Sequence, residues 1–310
     1  MVDYKSYLGN IDYRRLTNAL KAKFKHELAR RGKDGYVVML SPGPGIDDEG
    51  GPGVTSAITA KLLIDAVGES AVWPLILTCD NFQRPEWIDA AKEQVGEFGD
   101  VFVAKKDING LVRANTAHYA ENDAFNDNGT ALSESADAAG RAYAEELRKL
   151  YGLNLIVASG YNIMPRYFFN VGAAASGNVA PMALYTRPIC IGIGKALGMD
   201  EEFLKTRPSN GGCEGWEGTR IYNRIFEPAE QALKRPKEGY KPEHSFLAAE
   251  ILENIFYVQR TKRISPHEVS ADEVLAVLRG DSTRYEDPLM QEVVKNAVNA
   301  YTSLALQTIV

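Results

Sequence analysis

The chain has 310 residues, 45% hydrophobic and 25% charged, which suits one large α/β domain or a domain with a substantial appendage. A formal net charge of −6 and a pI near 5.4, with no basic block and Lys105–Lys106 only a pair, argue against binding nucleic acid by phosphate neutralisation. No apolar run is long enough to span a bilayer, and the opening MVDYKSYLGNIDYRR lacks the apolar core of a signal peptide, so neither nucleic acid nor membrane is expected as a partner.

Residues Tyr13 to Arg31 place Leu16, Leu20, Phe24 and Leu28 at helical spacing, with Gly32 as the expected C-terminal cap. The apolar run Tyr36–Leu40 predicts a buried parallel strand. It breaks into a loop with five glycines and three prolines between Ser41 and Gly53. A helix follows, with Thr55 or Ser56 placed to cap it and Ile58, Leu62, Ala66 and Val67 forming one apolar face. Strand, glycine-rich loop and helix N-terminus together hold anions: unobstructed backbone N–H groups converge and the helix dipole favours negative charge. The loop, Ser41, Gly43 and Gly45 included, is therefore read as a phosphate cradle. The run Asp47–Asp48–Glu49 inside it would repel phosphate unless a cation lies between. It is either a solvated acidic turn or a magnesium site, since hard cations prefer clustered carboxylates.

Further along, Ala71–Leu77 predicts a second strand, in which Pro74 makes a central position awkward. It ends in Thr78, Cys79, Asp80 and Asn81, where ligand contacts fall in open parallel sheets. Pro85–Val95 predicts a helix with Trp87, Ala90, Ala91 and Val95 inward, Asp100–Ala104 a third strand, and Asn115–Thr130 a surface loop. A helix over Ser133–Tyr151 leads to a fourth strand, Leu153–Ala158, closed by Ser159, Gly160, Tyr161 and Asn162. Alternating strand and helix predict a doubly wound parallel sheet with helices on both faces. Beyond it, helices are expected over Pro188–Leu197 and Ser245–Tyr257, with a short turn at Glu201–Lys205. Two more lie within Ser270–Val310, giving a division into residues 1–268 and a C-terminal helical extension, 269–310. Cys79, Cys190 and Cys213 are odd in number and widely spaced, which fits a reducing cytoplasm better than disulfides, and none makes a CxxC zinc pair.

Three segments, in this order and spacing, resemble the ammonia-dependent NAD synthetase family of N-type ATP pyrophosphatases, an adenine nucleotide alpha-hydrolase-like fold. They are LIVASGYN (155–162), PMALYTR (181–187) followed by ALGMDEEFLKTRPS (196–209), and NIFYVQRTKRISP (254–266). The resemblance covers most of residues 15–266 and implies a divergent member. Its chemistry would be ATP- and magnesium-dependent adenylation of nicotinic acid adenine dinucleotide, then displacement of AMP by ammonia to give NAD, in a homodimer. It matches Asp47 to the family's pyrophosphate-loop aspartate, and Asp48 or Ser56 to its serine. Asn162 falls on the strand-end asparagine, Arg187 lies beside the position of a family lysine (Thr186 in this chain), and Lys262–Arg263 keep a late basic pair. The family's magnesium glutamate falls on Pro165. The expected site is thus Asp47, Lys262 and Arg263 for catalysis, with Ser41, Gly43, Gly45, Asp47, Asp48, Ser56, Thr78, Asn162 and Arg187 on the nucleotide and Asp47, Asp48 and Glu49 on magnesium. Two alternatives stay open: a nucleotide-binding protein that has lost catalysis, and a ligase for another carboxylate.

Overall fold

The computed structural model describes residues 4–40, 42–43, 51–78, 85–120, 128–164, 178–204, 221–239 and 241–307. Two helices, α1 (Tyr4–Gly9) and α2 (Tyr13–Arg30), lead into β1 (Gly35–Leu40). Asp12 caps α2 by accepting a hydrogen bond from Arg15 N (2.9 Å), and Gly32, at φ +58°, turns the chain after its end. A two-residue hairpin, β2 (Pro42–Gly43) and β3 (Gly51–Pro52), frames the glycine-rich turn before α3 (Val54–Val67).

Then come β4 (Val72–Thr78), α4 (Pro85–Gly96), β5 (Ala104–Asp107), α5 (Asn109–Ala120), α6 (Asn128–Tyr151) and β6 (Leu155–Ala158). The sheet is parallel, in the order β5-β4-β1-β6. All six residues of β1 are buried because the strand alternates between two covered faces. Tyr36, Val38 and Leu40 pack with α2 and α3, whereas Val37 and Met39 face α5 and α6. The expected doubly wound α/β sheet is the observed one.

Four local expectations need correction. The third strand is Ala104–Asp107, not Asp100–Ala104; Phe102 is 74% exposed, so the earlier apolar stretch is not a buried strand. Residues 115–120 and 128–130 are helical rather than loop, since α5 and α6 extend into them. Helix α3 begins at Val54 with Gly53 as its N-cap, so Thr55 and Ser56 lie inside the first turn instead of capping it. Pro74 sits in an interior strand, but β5 pairs only from Leu75 onward, so at its register the strand is still an edge and tolerates a missing donor.

Beyond the sheet, α7 (Arg187–Ala196) and the short α8 (Glu201–Leu204) pack on α3: a Cβ on Gly194 would stand 2.6 Å from Leu204 and 3.1 Å from Ile58. A π-helical turn (Tyr222–Phe226), α9 (Glu227–Ala232), α10 (Pro242–Lys262), α11 (Ala271–Asp281) and α12 (Pro288–Gln307) build a second, all-helical core. Ile163 and Met164, just past β6, belong to this helical core, so the end of β6 lies where sheet and helices meet.

Two features of these cores make predictions. His244 is stacked between Tyr222 and Phe226 (centroids 5.6 and 4.1 Å), and its Nδ1 accepts a hydrogen bond from Lys241 N (3.0 Å). Burial holds its pKa below the usual histidine range. The unfolded chain therefore binds the proton first, so the His244 contribution is complete above about pH 6.5 and is lost as pH falls through the lower folded pKa. Replacing His244 with Phe is expected to flatten the acid limb of a stability–pH curve measured by urea unfolding. An unchanged slope between pH 7 and 5 would count against this. In the other core, the Tyr143 hydroxyl is buried with no partner. Tyr143→Phe should therefore leave the unfolding free energy unchanged or raise it by about 1 kcal/mol at most, as read by urea unfolding, because a desolvated O–H is removed.

Candidate functional site

The chain runs from β1 to β4 and β5 on one side, then returns to β6 on the other side of β1. The crevice between the carboxyl ends of β1 and β6 is therefore the topological switch point, where open α/β sheets bind ligands. The glycine-rich turn leaves β1 at this point and enters α3, and α4 packs against its framing hairpin. No side chain caps α3, and its first helical hydrogen bond is Ala57 N to Gly53 O (2.9 Å). The N–H groups ahead of it point towards the turn with the helix dipole behind them, the arrangement that attracts phosphate.

The opposite wall is the end of β6. Gly160 is pressed onto the first turn of α3: a Cβ there would lie 2.5 Å from both Cα and Cβ of Ser56. Asn162 is 2% exposed, and its Oδ1 accepts from Met164 N (2.8 Å), a turn that sends the chain into the helical core. Ser159, fully buried, accepts from Tyr161 N (3.2 Å), and its own N–H donates to Val179 O (2.9 Å). Ile163 N then donates to Tyr185 O (3.0 Å), tying the strand end to the segment that carries Thr186 and Arg187.

The structure thus sets Gly160, two residues before Asn162, against Ser56, while the Gly43 hairpin packs on α4 and β4. The Ser56 hydroxyl donates to Gly53 O (2.8 Å), which leaves its lone pairs open to a donor. Thr78 ends β4, one strand away, with its hydroxyl donating to Lys106 O (3.3 Å). Arg187 is the first residue of α7 and is buried at 7% exposure. Lys262 is not joined to the crevice by any described contact: its ammonium pairs with Glu273 on α11 (2.5 Å). Arg263 closes α10 in the left-handed conformation (φ +55°). Ser41, Gly45, Asp47, Asp48 and Glu49 lie outside the described residues. Among the described residues, no group of three or more His, Cys, Asp or Glu side chains could hold a metal.

Sequence reasoning named Ser159 and Gly160 as part of the small polar ending of the strand but assigned neither a place in the site. A glycine directly after a buried apolar strand is the signal that could have marked the close approach. It also passed over Glu253, whose Oε1 accepts from Thr186 Oγ1 (3.2 Å) across 67 residues of sequence.

Sheet order and switch point define a doubly wound parallel α/β fold. No protein-family profile matches the sequence, and no curated protein matches it. Among solved structures, the chain is similar to an NMN synthetase from Francisella tularensis at 18% identity and a TM-score of 0.52, over 90% of this chain and 97% of that one. It is also similar to the NH3-dependent NAD synthetase from Campylobacter jejuni subsp. jejuni NCTC 11168 in complex with the nitrate ion (15% identity, TM-score 0.49, 90% and 96% of the two chains). A third is the glutamine-dependent NAD+ synthetase from Acinetobacter baumannii in complex with ADP (15%, TM-score 0.47), which matches 90% of this chain but 46% of that one. The likeness to the first is one of fold.

Proposed function

We propose that the protein is an ATP-dependent amide ligase of the NAD synthetase kind, which adenylates a pyridine nucleotide carboxylate and amidates it with ammonia. The observation that carries this reading is an uncapped α3 that follows a glycine-rich stretch after β1, the strand at the switch point, in a chain that shares its fold with an NMN synthetase. A substrate carboxylate oxygen would attack the α-phosphorus of ATP, and the bond to the bridging oxygen would break to release pyrophosphate. Ammonia would then attack the acyl carbon, with AMP leaving and a proton lost to solvent.

In this reading the α3 N-terminus and the turn hold the leaving pyrophosphate, Ser56 and Asn162 line the crevice, and Thr78 and Arg187 border it. Asp47, Asp48 and Glu49 are proposed as the magnesium ligands, since three adjacent carboxylates are the donor set a hard cation takes. When bound, the ion would offset the charge that develops on pyrophosphate. Lys262 and Arg263 remain proposed phosphate contacts, which requires Lys262 to leave Glu273. A homodimer, a cytoplasmic setting and a C-terminal helical extension over 269–310 belong to the same proposal.

NAD, formed from nicotinic acid adenine dinucleotide, is the default product. A second reading, NMN formed from nicotinic acid mononucleotide, is favoured by the NMN synthetase that shares the fold. Purified protein with ATP, magnesium, ammonium and either acid, analysed for AMP and amide, decides between them. AMP and amide in equal amounts with one acid are the expected result. Asp47→Asn should lower that rate by about 100-fold or more, the scale of losing a preorganised charge at a transferring phosphoryl group. ATP binding without AMP in any mixture would sink the ligase reading and leave a nucleotide-binding protein.

A further inference from the structure

A groove of about 570 Å³ opens between α1, the start of α2, the turn before α7 and one face of α10. This lies within the roughly 300–1,000 Å³ range of small-molecule sites. No described residue of the glycine-rich turn or of α3 lines it, though Ile163, next to Asn162, forms part of its wall.

Four α10 residues line it, and three of them, Glu253, Phe256 and Arg260, fall at positions i, i+3 and i+7. At the helical rise, the backbone positions of Glu253 and Arg260 stand about 10 Å apart, with the phenyl ring between them. Glu253 accepts from Thr186 (3.2 Å), and Arg260 Nε donates to Phe256 O (3.4 Å). One end of the groove thus carries a carboxyl group and the other a guanidinium. Burial pushes the Glu253 carboxyl above its usual range, opposed by the Thr186 bond and by Arg260. Tyr7, at 40% exposure, and Leu184, at 70%, add large apolar surface left open to water beside these charges.

We propose that this groove binds a small, flat, amide-bearing anion, with the amide on Glu253, the ring against Phe256 and a phosphate or carboxylate on Arg260, and that it disfavours the corresponding acid. A carboxamide N–H donates to Glu253, whereas a carboxylate meets it as a like charge. The inference rests on the amide-ligase reading, under which acid and amide are substrate and product. The groove is then a product site set apart from the crevice.

Calorimetric titration of the full chain at neutral pH without ATP tests it, with nicotinamide mononucleotide and nicotinic acid mononucleotide as probes. The amide is expected to bind at least about tenfold more tightly than the acid, the scale of one half-buried like-charge contact. Glu253→Gln should abolish that preference, since its amide oxygen still accepts from Thr186 while the charge is gone. Arg260→Met should weaken both probes about tenfold through the lost anion contact. Leu184→Asp, an exposed substitution that leaves the cores alone, should weaken the amide as well. Circular dichroism melts establish that each variant is folded. Equal affinity for the two probes in the unsubstituted protein, or a preference that survives Glu253→Gln, overturns the proposal. AMP release in the same preparation separates the two readings: preference without AMP refutes the ligase alone, and AMP without preference refutes the groove alone.

Discussion

Gly160→Val is expected to lower any ATP turnover by about 100-fold or more and to destabilise the fold by roughly 2–4 kcal/mol, the upper range of overpacking effects. The space for even a first carbon is absent: it would lie 2.5 Å from Ser56 Cα and Cβ and 3.0 Å from Ser56 N. Two of these three atoms are backbone of a helix whose inner face is buried, so relief comes only by prising the end of β6 away from α3. That same separation would widen the crevice and displace the α3 N–H groups from whatever anion they hold. Thermal melts and AMP release, measured together, check both effects. Gly110→Ala is the matched control: nothing lies within 4 Å of its added carbon, so the new residue should be neutral or stabilising by up to about 1 kcal/mol. A Gly160→Val protein that melts and turns over like the parent would show that α3 and β6 are not packed as described.

Glu250→Ala should cost about 3 kcal/mol in urea unfolding, within the range for breaking a buried charge network. Glu250, at 4% exposure on α10, accepts from Tyr285 Oη (2.8 Å) and Arg284 Nη2 (3.3 Å). Both partners sit on the 3-10 turn Thr283–Glu286 that joins α11 to α12. Removing the carboxylate strands the fully buried Tyr285 hydroxyl, while Arg284, which is partly exposed, can regain water; this keeps the cost below the upper limit. Burial and the Glu250 charge hold the Tyr285 phenol well above its ordinary pKa, so it stays a donor throughout the working pH range. The double substitution Glu250→Leu with Tyr285→Phe should recover most of the loss, because no buried donor is left unpaired. If the single and double variants are equally unstable, the hydrogen bond is not what joins these helices.

The β1–turn–α3 unit is legible from residues alone because its signals are local. An apolar run with no polar interruption, a loop dense in glycine and proline, and a helical apolar face sit within consecutive residues. The same holds for α2, whose apolar stripe and stop at Gly32 follow from side-chain and backbone preferences of the residues themselves. Chain order alone also points to β6, through its small polar ending.

Errors arise where neighbours override local preference. Val101 and Val103 are apolar enough for a strand, yet pairing with β4 starts at Ala104, because register is set by the partner strand. The polar stretch 115–120 is helical within α5, which lies beside α6. Pro74 is tolerated in an interior strand only because β5 starts one residue later.

The sequence by itself determined that this is an α/β chain with a glycine-rich stretch between its first strand and the next helix, since those features depend on residues adjacent along the chain. Only the tertiary structure decided that β1 lies between β4 and β6, that Gly160 closes against Ser56, and that Glu253 and Arg260 share a groove with Tyr7. Each of these depends on which distant segments meet. That is settled by burying two sheet faces and a helical core at once, a condition no local stretch of sequence carries.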